Sequence, residues 1–241
     1  MAIQSYAGVA LSMQKALQHD LEVTTDNMAQ LNTPGALGQK IIFSKYLNKT
    51  GQVSYVEDKV GIKDLMPGPA EFTNDPYHVS NTSSGFFAVE TPTGRKYTLN
   101  GAFRSDGDGQ LVTQEGYPVL NDSESPINIP LDRGDFVISP DGTISNKDGI
   151  IDKIGVFDFQ NPYTLERTEG TMFTSTEPPA PSENPSLIQG YLTGSNVNPM
   201  EETTRLIWIH RTYQMMQKII DQEAKLADEM IQRLVKIPPI A

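Results

Sequence analysis

Both ends of this chain carry apolar stripes at helical spacing, and the long stretch between them does not. Near the N-terminus, apolar or small residues recur at Ile3, Tyr6, Ala10, Met13, Leu17, Leu21, Thr24, Met28 and Leu31. Steps of three and four, with Leu21 and Thr24 the loosest fits, put them on one narrow face of an α-helix, a seam of the coiled-coil kind. Asn32-Thr33-Pro34-Gly35 stops that helix, because Pro34 disfavours helical angles at Thr33 and Gly35 accepts left-handed ones. At the other end, Asn198-Pro199-Met200-Glu201 reads as an N-cap, an N1 proline and an acidic N3. Leu206, Ile209, Tyr213, Met216, Ile220, Ala227, Met230, Leu234 and Ile237 continue as a second seam, interrupted by Glu223 and ended by Pro238-Pro239. A helix of about 38 residues would be roughly 57 Å long. Neither stripe can be buried by its own helix, so each needs a partner.

The middle has a different texture. Gly85–Glu90 reads as a strand, Thr91–Gly94 as a turn and Lys96–Leu99 as the return strand, closed by the hairpin signal Asn100-Gly101. Asp108-Gly109, Asp141-Gly142 and Asp148-Gly149 repeat that signal, and Phe136–Ile138 and Ile154–Phe159 read as further strands. Glu177–Pro185 holds four prolines and reads as an extended surface segment. The expected fold class is α+β. A discontinuous helical domain is built from coiled-coil-like helices at the two ends, 1–35 and 191–241. A connecting segment spans 36–70, and a β-rich central domain with hairpins spans 71–190.

Composition removes several classes of function. Thirty acidic against nineteen basic residues give a net charge of −11, the wrong sign for wrapping nucleic acid or docking on anionic lipid. The absence of cysteine rules out disulfides, thiolate metal sites and a cysteine nucleophile. No stretch approaches the roughly 18 apolar residues of a membrane span, so direct membrane insertion is not expected. Met1–Gln14 carries no charged side chain, so it is not a secretory signal, and any export is expected to leave the N-terminus in place.

Candidate chemistry is sparse. Asp106-Gly107-Asp108-Gly109-Gln110 begins like a calcium loop, but the sixth and twelfth positions are Leu111 and Tyr117 where glycine and glutamate are required. Glu201-Glu202 is the acidic start that a helix dipole attracts. His210 falls beside the second seam, and Trp208 and Met215-Met216 read as packing or interface groups. No phosphate loop, nucleophile elbow or zinc helix motif is present, so no enzyme, metal or cofactor is expected.

Four blocks carry a resemblance. Asp26–Gly35 is similar to the N-terminal signature of the flagellar rod and hook family of axial proteins, and Gly85–Val89 to its central strand. Tyr97–Arg104 with Gly109–Leu120 resembles the family's most distinctive block, and Gly194–Glu202 resembles the motif opening its C-terminal helix. The chain departs from the pattern at Ala36-Leu37-Gly38, which precede Lys40, at Asp26-Asn27, and at Thr203-Thr204 after the double glutamate. The short length and the tail Ile219–Glu223 resemble the proximal rod branch more than the distal one.

The resemblance implies a structural subunit of the bacterial basal-body rod in the periplasm, exported through the flagellar channel without cleavage. Its partners would be copies of itself, other rod proteins and the export apparatus, and its task the transmission of torque from motor to hook. The terminal helices would form an inner tube and the β domain would face outward. The implied assembly interface takes in both seams together with Asn196, Val197 and Asn198. Other readings are a distal rod or hook-type axial protein, and a non-flagellar extracellular β module that binds a ligand.

Overall fold

The structure, a computed structural model, describes residues 2–47, 54–62, 65–130, 136–161 and 164–235. Contacts divide the chain into two compact units, one made of Met1–Asp26, Gln39–Gly61 and Pro199–Ala241, the other of Asn27–Gly38 and Ile62–Asn198.

The first unit contains most of helix α1 (Ala2–Ala29), the two-stranded sheet of β1 (Gln39–Leu47) and β2 (Ser54–Ile62), and helix α2 (Pro199–Val235). Helix α2 begins at Pro199, where a missing N–H costs nothing and the fixed φ already suits a helix. Pro238-Pro239, expected to end it, lie outside the described residues. Two contacts set how the helices pair. Gln14 Nε2 donates to the Tyr213 hydroxyl at 2.8 Å, and the Arg205 guanidinium lies 2.6 Å from the Asp20 carboxylate, off the usual hydrogen-bond direction. Six residues forward along α1 therefore correspond to eight backward along α2, so the helices run antiparallel. Leu17 and Ile209, which fall between those contacts in sequence, are both 1% exposed.

The buried face of α1 differs from the expected seam. Ala16, Leu17, Asp20, Val23 and Thr24 are buried, whereas Leu21 is 39% exposed. Hydrophobicity favours Leu21 at that turn. The nearby Arg205 charge reverses the choice, because it supplies the partner that a buried Asp20 requires. Leu31 also falls outside the helix, in the turn where Gln30 N–H donates to Asn27 O and Thr33 N–H to Gln30 O.

In the second unit the strands follow in chain order. They are β3 (Ala70–Phe72), β4 (Val79–Asn81), β5 (Phe86–Thr91), β6 (Gly94–Thr98), β7 (Arg104–Ser105) and β8 (Leu111–Val112). Next come β9 (Phe136–Ile138), β10 (Thr143–Asn146), β11 (Gly149–Lys153), β12 (Val156–Asp158) and β13 (Leu165–Arg167). The last are β14 (Met172–Ser175), β15 (Ala180–Pro181), β16 (Leu187–Gln189) and β17 (Tyr191–Thr193). A six-stranded antiparallel sheet in the order β13-β14-β6-β5-β12-β15 is the main layer.

Strand β5 is apolar without alternation because both its faces are covered. Phe87 and Val89 enter one core cluster with Phe103, Leu111, Val119 and Ile127. Phe86 and Ala88 enter another with Tyr97, Leu99, Phe157 and Phe173. Neighbouring residues on a strand point to opposite faces, so one short strand supplies both cores. Each fully buried phenylalanine contributes about 2–3 kcal/mol.

Asp108-Gly109, Asp141-Gly142 and Asp148-Gly149 do lie at turns between paired antiparallel strands. Asn100-Gly101 does not close a hairpin. Asn100 Oδ1 accepts from the Ala102 N–H, and the Gly101 carbonyl accepts from Val79 N–H at 3.0 Å. A Cβ on Gly101 would lie 1.7 Å from the Val79 carbonyl oxygen, so the glycine is there for close approach of two backbone segments. Local turn chemistry and such a crossing look alike in one dimension.

Candidate functional site

Two arrangements bring together residues that the sequence singled out. The first is a clasp of backbone in the second unit, joining segments from both ends of the chain. Gly35 adopts φ +69°, and its N–H donates to the Thr193 carbonyl at 2.7 Å. Its missing Cβ would stand 2.3 Å from the backbone nitrogen of Asn100, so residues 99–100 pass directly against it. Ala36 and Leu37, each 1% exposed, follow into the interior, and Leu37 joins the cluster of Phe86 and Leu99. Gly38 N–H then donates to Asn196 Oδ1 at 2.7 Å, Asn196 N–H donates to the Ala36 carbonyl, and Asn196 Nδ2 donates to the Met66 carbonyl at 3.1 Å. Asn196 thus ties three stretches of backbone, and Val197 beside it is half-buried, while Asn198 is exposed. Ala36-Leu37-Gly38, a departure from the family pattern, pack as part of this clasp.

The second arrangement is the surface of the paired helices. Leu206, Tyr213, Met216 and Ile220 are half-buried and Ile209 is buried, so the second seam is turned inward along this stretch. On α1, Leu17 is buried and Met13 and Met28 are half-buried; Leu31, past its end, is half-buried too. The side chains of Ile3, Tyr6, Ala10, Ala227, Met230 and Leu234 lie outside the described residues. Sequence reasoning missed a second apolar face on α2. Trp208 (52% exposed), Met215 (59%), Ile219 (39%) and Leu226 (59%) face solvent in the single chain. The signal available was that these large apolar residues fall off the main seam.

The electrostatics describe structure more than chemistry. Asp106 Oδ1 accepts from the N–H groups of Asp108 and Gln110, so the calcium-like stretch is a hairpin turn closed by its own carboxylate. Hydrogen bonds from Thr143 hold the Asp141 carboxyl below its ordinary range. Burial pushes the Tyr97 phenol up, with Arg95 opposing. His210 is exposed and sits 3.0 Å from the Gln214 side chain. Among the described residues no group of three or more His, Cys, Asp or Glu is placed to hold a metal, and no helix is long and apolar enough to cross a membrane.

Comparisons with known proteins agree on one family. The model of the flagellar hook protein FlgE/F/G D1 domain matches residues 82–146, and that of the flagellar basal body rod FlgEFG protein C-terminal region matches residues 188–237. The flagellar basal-body rod protein FlgF of Caulobacter vibrioides is 31% identical over 238 residues, covering 95% of this chain and 97% of the relative. The FlgF of Mesorhizobium japonicum is 30% identical, covering 94% and 96%. The rod protein FlgG of Bacillus subtilis is 28% identical, covering 96% and 97%.

Proposed function

The chain belongs to the flagellar basal-body rod protein family, is most like its FlgF members, and is a structural protein rather than an enzyme; on that premise we propose that it is a subunit of the proximal rod. It polymerises through its terminal helices with copies of itself and with other rod proteins. It is exported through the flagellar channel with its N-terminus intact, and it transmits torque from motor to hook across the periplasm. Both seams, with Asn196, Val197 and Asn198, contribute to the assembly interface, and the helical domain from 1–35 and 191–241 lines the rod's inner tube. Many modest contacts, each repeated along the polymer, carry the mechanical load.

The observation that carries this reading is that the match to rod proteins runs through both terminal helices and the β unit alike, covering 95% of the chain. Deletion of Arg205–Ala241 in a flagellated host lacking its own copy tests it. The expected result is a non-motile strain with no rod beyond this subunit's position, while the β unit stays folded. A motile strain refutes the reading and favours a β module with dispensable helices. The similarity to FlgG supports a distal rod position as the second reading. Locating a tagged subunit in isolated basal bodies separates the two.

A further inference from the structure

The β unit carries a cavity that the rod reading leaves without a task. It measures about 430 Å³ and lies where the segment 72–77 meets the start of β9 and the corner between β16 and β17. That size is in the range of ligand sites. Its wall is fixed by hydrogen bonds that use up most of the polar groups. Gln189 Oε1 accepts from Ile138 N–H, and its Nε2 donates to the Pro76 and Phe136 carbonyls. The Thr73 and Asn74 N–H groups both donate to the Gly190 carbonyl, Gly190 N–H donates to the His78 carbonyl, and Tyr77 N–H donates to Asp75 Oδ1.

What remains open is aromatic surface, one carboxylate oxygen and one amide. Phe72, Tyr77 and Phe136 line the cavity. Phe72, 67% exposed, is braced by Tyr191 with ring centroids 5.2 Å apart, and Tyr77 by Phe136 at 5.0 Å. Asp75 is the one charged side chain among the described residues that line it. Its Oδ2 lies 3.8 Å from His78 Nε2, beyond hydrogen-bond reach, while His78 Nδ1 is 2.9 Å from Thr73 Oγ1. Asn74 stands at φ +60°, exposed, and its side-chain amide bonds no other described residue. An anion would meet the Asp75 charge with the nearby backbone donors already spent. A neutral apolar group would strip water from that carboxylate and return nothing. A cation that is flat and carries an apolar stem satisfies both the rings and the carboxylate, and the guanidinium does so better than an ammonium because it stacks and forks. The free Asn74 amide, one donor group beside one acceptor, matches a peptide unit. We propose that the cavity receives an arginine side chain from an extended peptide segment of a partner protein.

The full-length protein is titrated with acetyl-Gly-Arg-Gly-amide at about pH 8, where imidazoles are ordinarily neutral and do not compete for a carboxylate. Backbone amide shifts are followed by nuclear magnetic resonance. Expected are saturable shifts confined to residues 72–77, 136 and 190, with a dissociation constant in the millimolar range that suits one side chain. The citrulline peptide, the same shape without the charge, binds at least about tenfold weaker. Asp75→Asn, which keeps Oδ1 as acceptor for Tyr77 N–H, and Phe72→Ala, at an exposed ring, each weaken the arginine peptide by a similar factor while the β5–β6 amide shifts stay in place. Asn74→Gly accepts the same φ and removes the amide, so it weakens the peptide several-fold and leaves methylguanidinium unchanged. Absence of saturable shifts at these residues, equal binding of the citrulline peptide, or indifference to Asp75→Asn overturns the inference. Methylguanidinium binding as tightly as the peptide overturns the assignment to a peptide partner. The deletion experiment decides the rod reading whichever way this titration falls.

Discussion

Replacing Gly35 with alanine perturbs the clasp at its tightest point. The native φ of +69° costs an L-residue roughly 1–2 kcal/mol by itself. The added Cβ would lie 2.3 Å from Asn100 N, 2.5 Å from the Leu99 carbonyl carbon and 2.6 Å from Asn100 Cα. These are backbone atoms, so no side-chain rotation relieves the overlap. The segment 35–38 must lift away. Lifting withdraws Leu37 from the core, at about 2 kcal/mol, and strains the Gly35–Thr193 and Gly38–Asn196 hydrogen bonds, at about 1 kcal/mol each. The total is about 5–6 kcal/mol, comparable with the whole stability of a small domain. Gly170→Ala is the control. It also has positive φ (+55°), but nothing lies within 4 Å of its Cβ position, so it loses only the conformational part. Hydrogen exchange of the β5–β6 peptides is the assay. Gly35→Ala is expected to speed it by about four powers of ten, and Gly170→Ala by about tenfold. Equal exchange in the two variants would show that the clasp yields without cost, and the reasoning would fail.

Three further outcomes are expected. Asp20→Ala strands the largely buried Arg205 guanidinium and costs the helix pair about 3 kcal/mol. Glu202→Gln goes the other way, by about 1 kcal/mol, because the Glu202 carboxylate is 1% exposed and its Oε2 has no hydrogen-bond partner among the described residues; thermal melts of helical circular dichroism should move in opposite directions. Asn196→Ala leaves the Gly38 N–H without its acceptor and the Met66 carbonyl without its donor, costing about 2 kcal/mol in urea unfolding of the β unit. Tyr97 has its pKa raised in the fold, so its stabilising effect is complete below the unfolded-state value near 10 and declines as pH rises through the folded one; Tyr97→Phe should flatten the alkaline loss of stability, and an unchanged profile would assign that loss elsewhere.

The two helices, the start of α2 and the turns between successive strands were legible in the sequence, because each is decided within a few residues. The three-four spacing from Leu206 to Ile220 already marked the inward face of α2, and Pro199 its start. The aspartate–glycine pairs at 108, 141 and 148 likewise marked turns that join strands close in sequence. What lay beyond reach was every choice made by a residue far along the chain. Arg205 draws Asp20 into the helix interface and leaves Leu21 outside, reversing what hydrophobicity alone orders. Asn100-Gly101 has the letters of a hairpin, yet Val79 claims the Gly101 backbone. Gly38, Met66 and Asn196 carry no local sign that they will share hydrogen bonds in one clasp. Trp208 and Met215 read equally as packing or interface groups, and only the structure leaves them in water in the single chain. Backbone propensity and turn chemistry are local energies, so sequence alone determined them; burial and charge pairing depend on which distant segments arrive, and only the tertiary structure decided that.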